Sequence, residues 1–420
     1  MTTMVLRPII FRVILLITLV SMAWARQGAG PLALQKVMQA SPNAVQAYSQ
    51  WQTFQRGDYL IIGQDAVIAS PYLPFFTRLK ESQGFRVTVT GMSVAGNTSA
   101  AIKSYIQSFY QTHNLEYVLL IGDVTGGAAL PSFVIGSEND VTDLPYVLLE
   151  GNDYFPEAIV GRWPIDTQTE LGVIINKTIS YCQTPYTGSN WLDKALVVAG
   201  NFADTGVILT PVWTSTWLAR ELNNYGYASV DTVYYPPTVS PDLILDAFNA
   251  GVGIVNYRGW GDAHGWHYPQ FHVSDFDGVQ GSLNNGFRLP VVFSFVCGTG
   301  KFDSEIDPSF CEALLTRGTV STPSGAVAVI APSDLHTRTK YNNALNSLMW
   351  DALLEGDVHE LGPALLAGKF GFLEEFSDET EPGGMGEFYF HTYNIIGDPS
   401  LPIWLLTPDA MPVTAEDFVR

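Results

Sequence analysis

The 420 residues make a 46.0 kDa chain, long enough for two to four folding units or one large α/β unit and too long for a stapled mini-protein. With 47% apolar and 12% aromatic residues the core material is ample, which excludes disorder as the main state. Twenty-one basic against 41 acidic residues give a net charge of −20, which excludes nucleic acid and anionic lipid as main partners; three cysteines exclude a disulfide framework and leave at least one thiol unpaired.

Arg7 and Arg12 precede an uncharged run, Val13 to Ala25, that closes on the small-x-small triplet Ala23, Trp24, Ala25. That pattern predicts a signal peptide over residues 1–25 and export to the periplasm or medium. The run is shorter than the roughly 20 apolar residues of a spanning helix, so no stable membrane insertion is expected. Residues 26–57 are polar and Ala- and Gln-rich, a spacer or pro-segment. Short apolar strands then alternate with amphipathic helices: strand Tyr59 to Ile62, helix Pro74 to Gln83, strand Arg86 to Thr90, helix Thr98 to Thr112, strand Tyr117 to Ile121, strand Ala158 to Gly161 and a helix from Thr167. Pro185, Thr187, Gly188 and Ser189 form a linker. Beyond it come strands Ala195 to Ala199, Val230 to Tyr234, Gly253 to Tyr257, Val291 to Val296 and Ala326 to Ile330, with helices between and after them. The alternation predicts two α/β units with mainly parallel sheets, 58–187 and 188–405, and a tail over 406–420.

In open parallel sheets, ligand sites form beyond the carboxyl ends of strands. Gly253 to Tyr257 runs into Arg258-Gly259-Trp260-Gly261-Asp262-Ala263-His264-Gly265-Trp266-His267, and Val291 to Val296 runs into Cys297-Gly298-Thr299-Gly300. A cysteine and two histidines thus meet one sheet edge, as a thiolate nucleophile and its base require. The bland alternative is an inert core cysteine beside turn glycines. Cys182 and Cys311 fall in helices and read as packing residues.

These residues carry a resemblance to the gingipain-like cysteine peptidases, family C25. Asn256-Tyr257-Arg258-Gly259-Trp260-Gly261 resembles the family's Asn-Tyr-x-Gly-His-Gly loop, and Cys297 with Lys301, Phe302 and Asp303 resembles the catalytic cysteine and its follow-on. Gly151-Asn152-Asp153, Glu157 to Gly161-Arg162, and Ile396-Gly397-Asp398-Pro399-Ser400 resemble further family motifs, so the resemblance covers nearly all of Tyr59 to Trp404. It implies a caspase-like fold for the second unit, a secreted cysteine endopeptidase acting on protein or peptide substrate, and Cys297 as nucleophile with the amides of Gly261 and Cys297 as oxyanion donors. It implies no cofactor for the chemistry and permits a structural calcium, with Asp153, Glu150, Asp140 and Asp143 as acids of the right kind.

The family's histidine position is filled by Trp260, whose indole has no basic nitrogen. His264 lies four residues on, within a reach of about 14 Å, and is the expected displaced base, with His267 second. Glu157 is the expected orienting carboxylate or else a solvated loop acid. Two readings stay open: a peptidase with a displaced base, and an inactive pseudopeptidase serving binding or surface assembly. His264, His267 and His272 could in principle chelate zinc. Gly298-Thr299-Gly300-Lys301 fails as a phosphate loop at Phe295 and Phe302, and no Gly-x-Ser-x-Gly elbow occurs.

Overall fold

The computed structural model describes residues 56–183, 190–200, 210–237, 239–277 and 282–408. The expected signal peptide, nearly all of the expected spacer or pro-segment, the Pro185 to Ser189 linker and most of the expected tail lie outside the described residues. Ten strands form one sheet. They are β1 (Asp58–Gly63), β2 (Arg86–Gly91), β3 (Leu115–Ile121), β6 (Ile159–Trp163), β7 (Lys194–Gly200), β8 (Ser229–Tyr235), β9 (Ile254–Arg258), β13 (Val291–Phe295), β14 (Ala328–Pro332) and β15 (Tyr393–Ile396). Their order is β2-β1-β3-β6-β15-β14-β13-β9-β7-β8, so each half of the chain contributes a block, and β15 stands between the blocks. β15 pairs antiparallel with β14 and parallel with β6; every other pairing in the sheet is parallel.

The fully buried strand residues follow from helices on both faces. β13 and β9 read Val-Val-Phe-Ser-Phe and Ile-Val-Asn-Tyr-Arg, buried at every position, which is the run of a parallel strand covered on both sides. Their polar members find partners within the fold, as Asn256 Oδ1 accepts from the Trp350 indole at 2.8 Å and Ser294 Oγ from the Trp266 indole at 3.0 Å, while Asn256 Nδ2 stays buried without a partner among the described residues. Each such buried aromatic contributes about 2–3 kcal/mol through burial.

The Gly-Asp-Pro-Ser segment has a structural reason. Asp398, fully buried, accepts from the Tyr59 hydroxyl at 2.7 Å, pairs with Lys80 Nζ at 2.5 Å and accepts the Ser400 amide at 3.0 Å. It ties the segment after β15, the strand that joins the two blocks, to β1 and to the helix Leu73–Ser82.

Three features escape a reading by periodicity. The stretch after β9, expected as a loop, folds into a small antiparallel sheet of β10 (Gly261–Asp262), β11 (Gly265–His267) and β12 (Gln270–His272). The strands β4 (Phe133–Ile135) and β5 (Asp140–Thr142) form a hairpin. The helix Met385–Thr392 leads directly into β15. All are too short to show a period, and tertiary contacts decide them.

Candidate active site

β9 and β13 are neighbours in register, Tyr257 opposite Ser294 and Arg258 opposite Phe295, so the loops that leave them start side by side. After Val296 the chain turns at Gly298, whose φ of +52° and whose missing Cβ, which would meet Leu335 Cδ2 at 2.6 Å, require glycine. The turn is laid against the loop after β14: the Gly298 amide donates to Asp334 O at 2.7 Å and the Gly300 amide to Pro332 O at 2.9 Å. Cys297 sits at the head of this turn.

The Cys297 thiol is free and 8% exposed. Its hydrogen bonds both go to Thr337: Sγ donates to the carbonyl at 3.6 Å, and the hydroxyl approaches Sγ at 3.2 Å. That hydroxyl also donates to Val296 O at 2.6 Å and accepts from Asn342 Nδ2 at 2.9 Å. Tyr389 and Tyr393 both donate to Asn342 Oδ1 at 2.8 Å. The thiol therefore rests on a buried, hydrogen-bonded floor. Burial pushes its pKa up, and the Thr337 hydrogen bond and the Arg258 charge pull it back only in part.

Among the described residues no imidazole hydrogen-bonds to Sγ; the histidines engage one another and Asp262 instead. Asp262 Oδ1 accepts the His264 amide at 2.8 Å and lies 3.1 Å from His264 Nδ1, while Oδ2 lies 3.1 Å from His267 Nε2. Burial alone would raise this carboxyl, but the His264 amide and the His267 and His264 rings hold it below its ordinary value. His267 Nδ1 lies 2.8 Å from His272 Nε2, so both nitrogens of His267 are engaged. Burial and the neighbouring His267 push the His272 pKa down. His264 is more than half exposed, with Nδ1 toward Asp262 and no hydrogen bond on Nε2 among the described residues. Trp260, 39% exposed, lies against the His267 ring in a tilted contact at 4.6 Å and stacks on Tyr268 at 6.0 Å.

Asp262 reaches the thiol turn through its backbone, its Cα 3.7 Å from where a Gly298 Cβ would stand. A Gly261 Cβ would come within 2.6 Å of Gly265 O and 3.1 Å of the Thr299 methyl. The rim hairpin is thus packed against the Cys297 turn by glycines that a side chain would prise apart.

Glu157 does not orient an imidazole. Its Oε2 accepts the amides of Leu149 at 2.6 Å and Glu150 at 3.1 Å, so it staples the loop before β6, and burial pushes its pKa up to about 7 against those hydrogen bonds. The orienting carboxylate at the histidines is Asp262, which the sequence signals as Asp-x-His, an acid whose side chain bonds the amide two residues on. Thr337, Asn342 and Arg258 gave no local signal, because only tertiary folding brings them to the sulfur.

The acids expected at a calcium divide. Asp143 is engaged bidentately by the buried Arg162, with both contacts at 2.7 Å. Asp140 neighbours Asp334 and lies 4.0 Å from Lys301, its pKa raised to about 6 chiefly by burial. Glu150 accepts from the Tyr110 hydroxyl and Asp153 from the Phe155 amide. Asp123, Asp166 and Asp307 instead bring carboxylate oxygens within 4.8 Å of one another. Asp123 is 95% buried, and its Oδ1 has no hydrogen-bond partner, as a cation ligand would stand. Among the described residues this is the one such grouping, and the three histidines do not form a second. Cys311 is fully buried in the helix Phe310–Thr316 and free, so no bridge joins it to Cys297. Among the described residues no helix is long and apolar enough to cross a membrane.

The chain matches peptidase family C25 over residues 52–404. It is 29% identical over 354 residues to gingipain R2 and to gingipain R1, both of Porphyromonas gingivalis. That alignment covers 81% of this chain but 45% and 34% of those proteins, so the chain spans less than half the length of these relatives. Lys-gingipain of the same organism is 24% identical over 435 residues, 89% of this chain and 23% of its own. The crystal structure of the Arg-specific cysteine proteinase gingipain R superposes with a TM-score of 0.74 at 26% identity, covering 84% of this chain and 79% of that one. The complex of the pro- and mature domains of RgpB from Porphyromonas gingivalis superposes at 0.72, also at 26% identity, covering 84% and 81%.

Proposed function

The chain belongs to peptidase family C25, and from that premise we propose that it hydrolyses peptide bonds through the Cys297 sulfur with His264 as a displaced base. The observation that carries this reading is the Asp262–His264 pair on the rim hairpin: a carboxylate on Nδ1 leaves Nε2 free, the arrangement a general base needs. In this mechanism His264 Nε2 takes the thiol proton and Sγ bonds to the scissile carbonyl carbon. The C–N bond then breaks as the amine takes the proton from imidazolium, and water releases the acid from the thioester. Bringing His264 to the sulfur requires the rim hairpin to tighten on substrate, since catalytic hydrogen bonds are often long before substrate binds. The Gly261 and Cys297 amides are the proposed oxyanion donors; the Gly298 amide is already engaged by Asp334 O. Export by residues 1–25 belongs to the same proposal. So does a structural calcium held by Asp123, Asp166 and Asp307, whose chemistry is to neutralise three carboxylates and brace their loops.

A second reading is a pseudopeptidase that binds without turnover. It is favoured by the sulfur itself, nearly buried and, among the described residues, hydrogen-bonded only to Thr337, with Trp260 at the family's histidine position. A peptidyl chloromethyl ketone separates the two. The peptidase reading expects wild-type protein to label and to cleave a casein substrate, Cys297→Ala to do neither, and His264→Ala to do both far more slowly. Inert wild-type protein establishes the pseudopeptidase, and a His264→Ala variant as fast as wild type removes His264 from the mechanism.

A further inference from the structure

Arg258 ends β9 opposite Phe295 of β13, so its side chain starts one strand away from the nucleophile turn. The guanidinium is fully buried, and each of its hydrogen bonds runs to an uncharged oxygen: Nη1 to Phe295 O, Nη2 to Thr339 O at 3.2 Å, and Nε at 3.0 Å with Nη2 to the side-chain oxygen of Asn343. Among the described residues it has no ion pair with a carboxylate. Arginine does not shed its proton to escape such a place, and a buried cation without an anion is unfavourable. Its partners bracket the thiol, because Phe295 lies two residues before Cys297 and Thr339 two residues after Thr337, whose hydroxyl touches Sγ.

The other ionisable groups facing Cys297 are Asp334 from the loop after β14, Tyr257 of β9, Tyr389 of the helix Met385–Thr392 and Tyr393 of β15. Asp262 faces the turn from the rim hairpin, its two carboxylate oxygens each 3.1 Å from an imidazole nitrogen. Burial holds all three phenols neutral, and the Asp334 carboxylate opposes a thiolate. Arg258 is the cation of this group.

We propose that Arg258 is a positioning residue for the nucleophile: its guanidinium is the fixed counter-charge of the Cys297 thiolate, in the part an adjacent imidazolium plays in a Cys–His pair. It rests on the proposed function only in taking Cys297 as the nucleophile, because thiol acidity is read without turnover. The division of labour is then simple. Arg258 holds the anion once it forms, and the proton leaves by the rim imidazole.

The test is alkylation of the full chain by iodoacetamide across pH, followed at Cys297 by mass spectrometry. The sulfur displaces iodide to form the S–C bond and its proton goes to buffer, so the rate follows the thiolate fraction. Arg258→Met is expected to move the midpoint up by about one pH unit or more, which slows alkylation about tenfold below the midpoint. Arg258→Lys is expected to return most of that reactivity. Asn343→Asp keeps the arginine and its hydrogen bonds but places a carboxylate on the guanidinium; it is expected to slow alkylation as Arg258→Met does, whereas a purely structural arginine predicts no change. Wild-type pH profiles in a folded Arg258→Met and in Asn343→Asp overturn the proposal, and Asn343→Asp decides alone if Arg258→Met fails to fold. An altered profile in protein without peptide turnover separates this proposal from the peptidase reading, which then fails by itself.

Discussion

Arg162 and Arg258 are both fully buried strand residues, one in each block of the sheet, yet their surroundings are opposite. Arg162 meets Asp143 through two contacts of 2.7 Å and also donates to the carbonyls of Gly122 and Leu130, so its charge is matched within the fold. Among the described residues Arg258 meets only carbonyls and an amide oxygen. Burial would lower both, but Asp143 carries Arg162 above its ordinary value while Arg258 stays below. A matched buried pair locks loops together; an unmatched buried charge biases whatever nearby group is able to ionise.

The largest effect should come from breaking the matched pair. Arg162→Met leaves Asp143 buried without its partner and is expected to cost about 3–5 kcal/mol in urea unfolding. Arg258→Met removes hydrogen bonds but strands no carboxylate, and should cost about 1–3 kcal/mol. Equal losses would show that the two sites do not differ as described.

Next in size is a pH effect away from the thiol. The Glu157 carboxyl has a folded pKa of about 7 against an ordinary 4.5, so the folded state binds the extra proton. Its stabilising contribution is complete below about pH 4.5 and is lost as pH rises through 7, amounting to about 3 kcal/mol. Glu157→Gln should flatten that part of the stability curve between pH 5 and 8, and an unchanged slope would remove the assignment.

At Cys297 the expected signature is a thiol alkylated faster as pH rises above neutrality, because burial has raised its pKa. Cys311, fully buried, should stay unlabelled in the folded protein, and Cys182, only partly buried but with its pKa pushed up, should react more slowly than Cys297, so Cys297→Ala removes most of the signal. The smallest effect concerns the carboxylate trio. Calcium at millimolar concentration should raise the melting temperature by a few degrees and a chelator should reverse it, while Asp123→Asn should lose the response.

The alternation of apolar strands and amphipathic helices was readable in the chain because each period is local, and so was the departure of the cysteine loop and the histidine loop from neighbouring strands; the sulfur itself rests on Thr337, and the rim histidines engage Asp262 and one another. The family motifs could also be read, although their reasons could not: Asp398 is in the Gly-Asp-Pro-Ser segment because it binds Tyr59 and Lys80, more than 300 positions away in sequence. Glu157 was misplaced for the same reason. An acid before a strand looks alike whether it faces an imidazole or two backbone amides.

What the sequence by itself determined is most strands of the main sheet, the cysteine at the end of one of them and the indole where the family has an imidazole. Tertiary structure alone decided that the sulfur lies against Thr337, that Asp262 orients the histidines and that Arg258 is buried without a carboxylate. Periodicity records which face of an element is apolar, whereas electrostatic partnership depends on distances between elements that only the packed sheet sets.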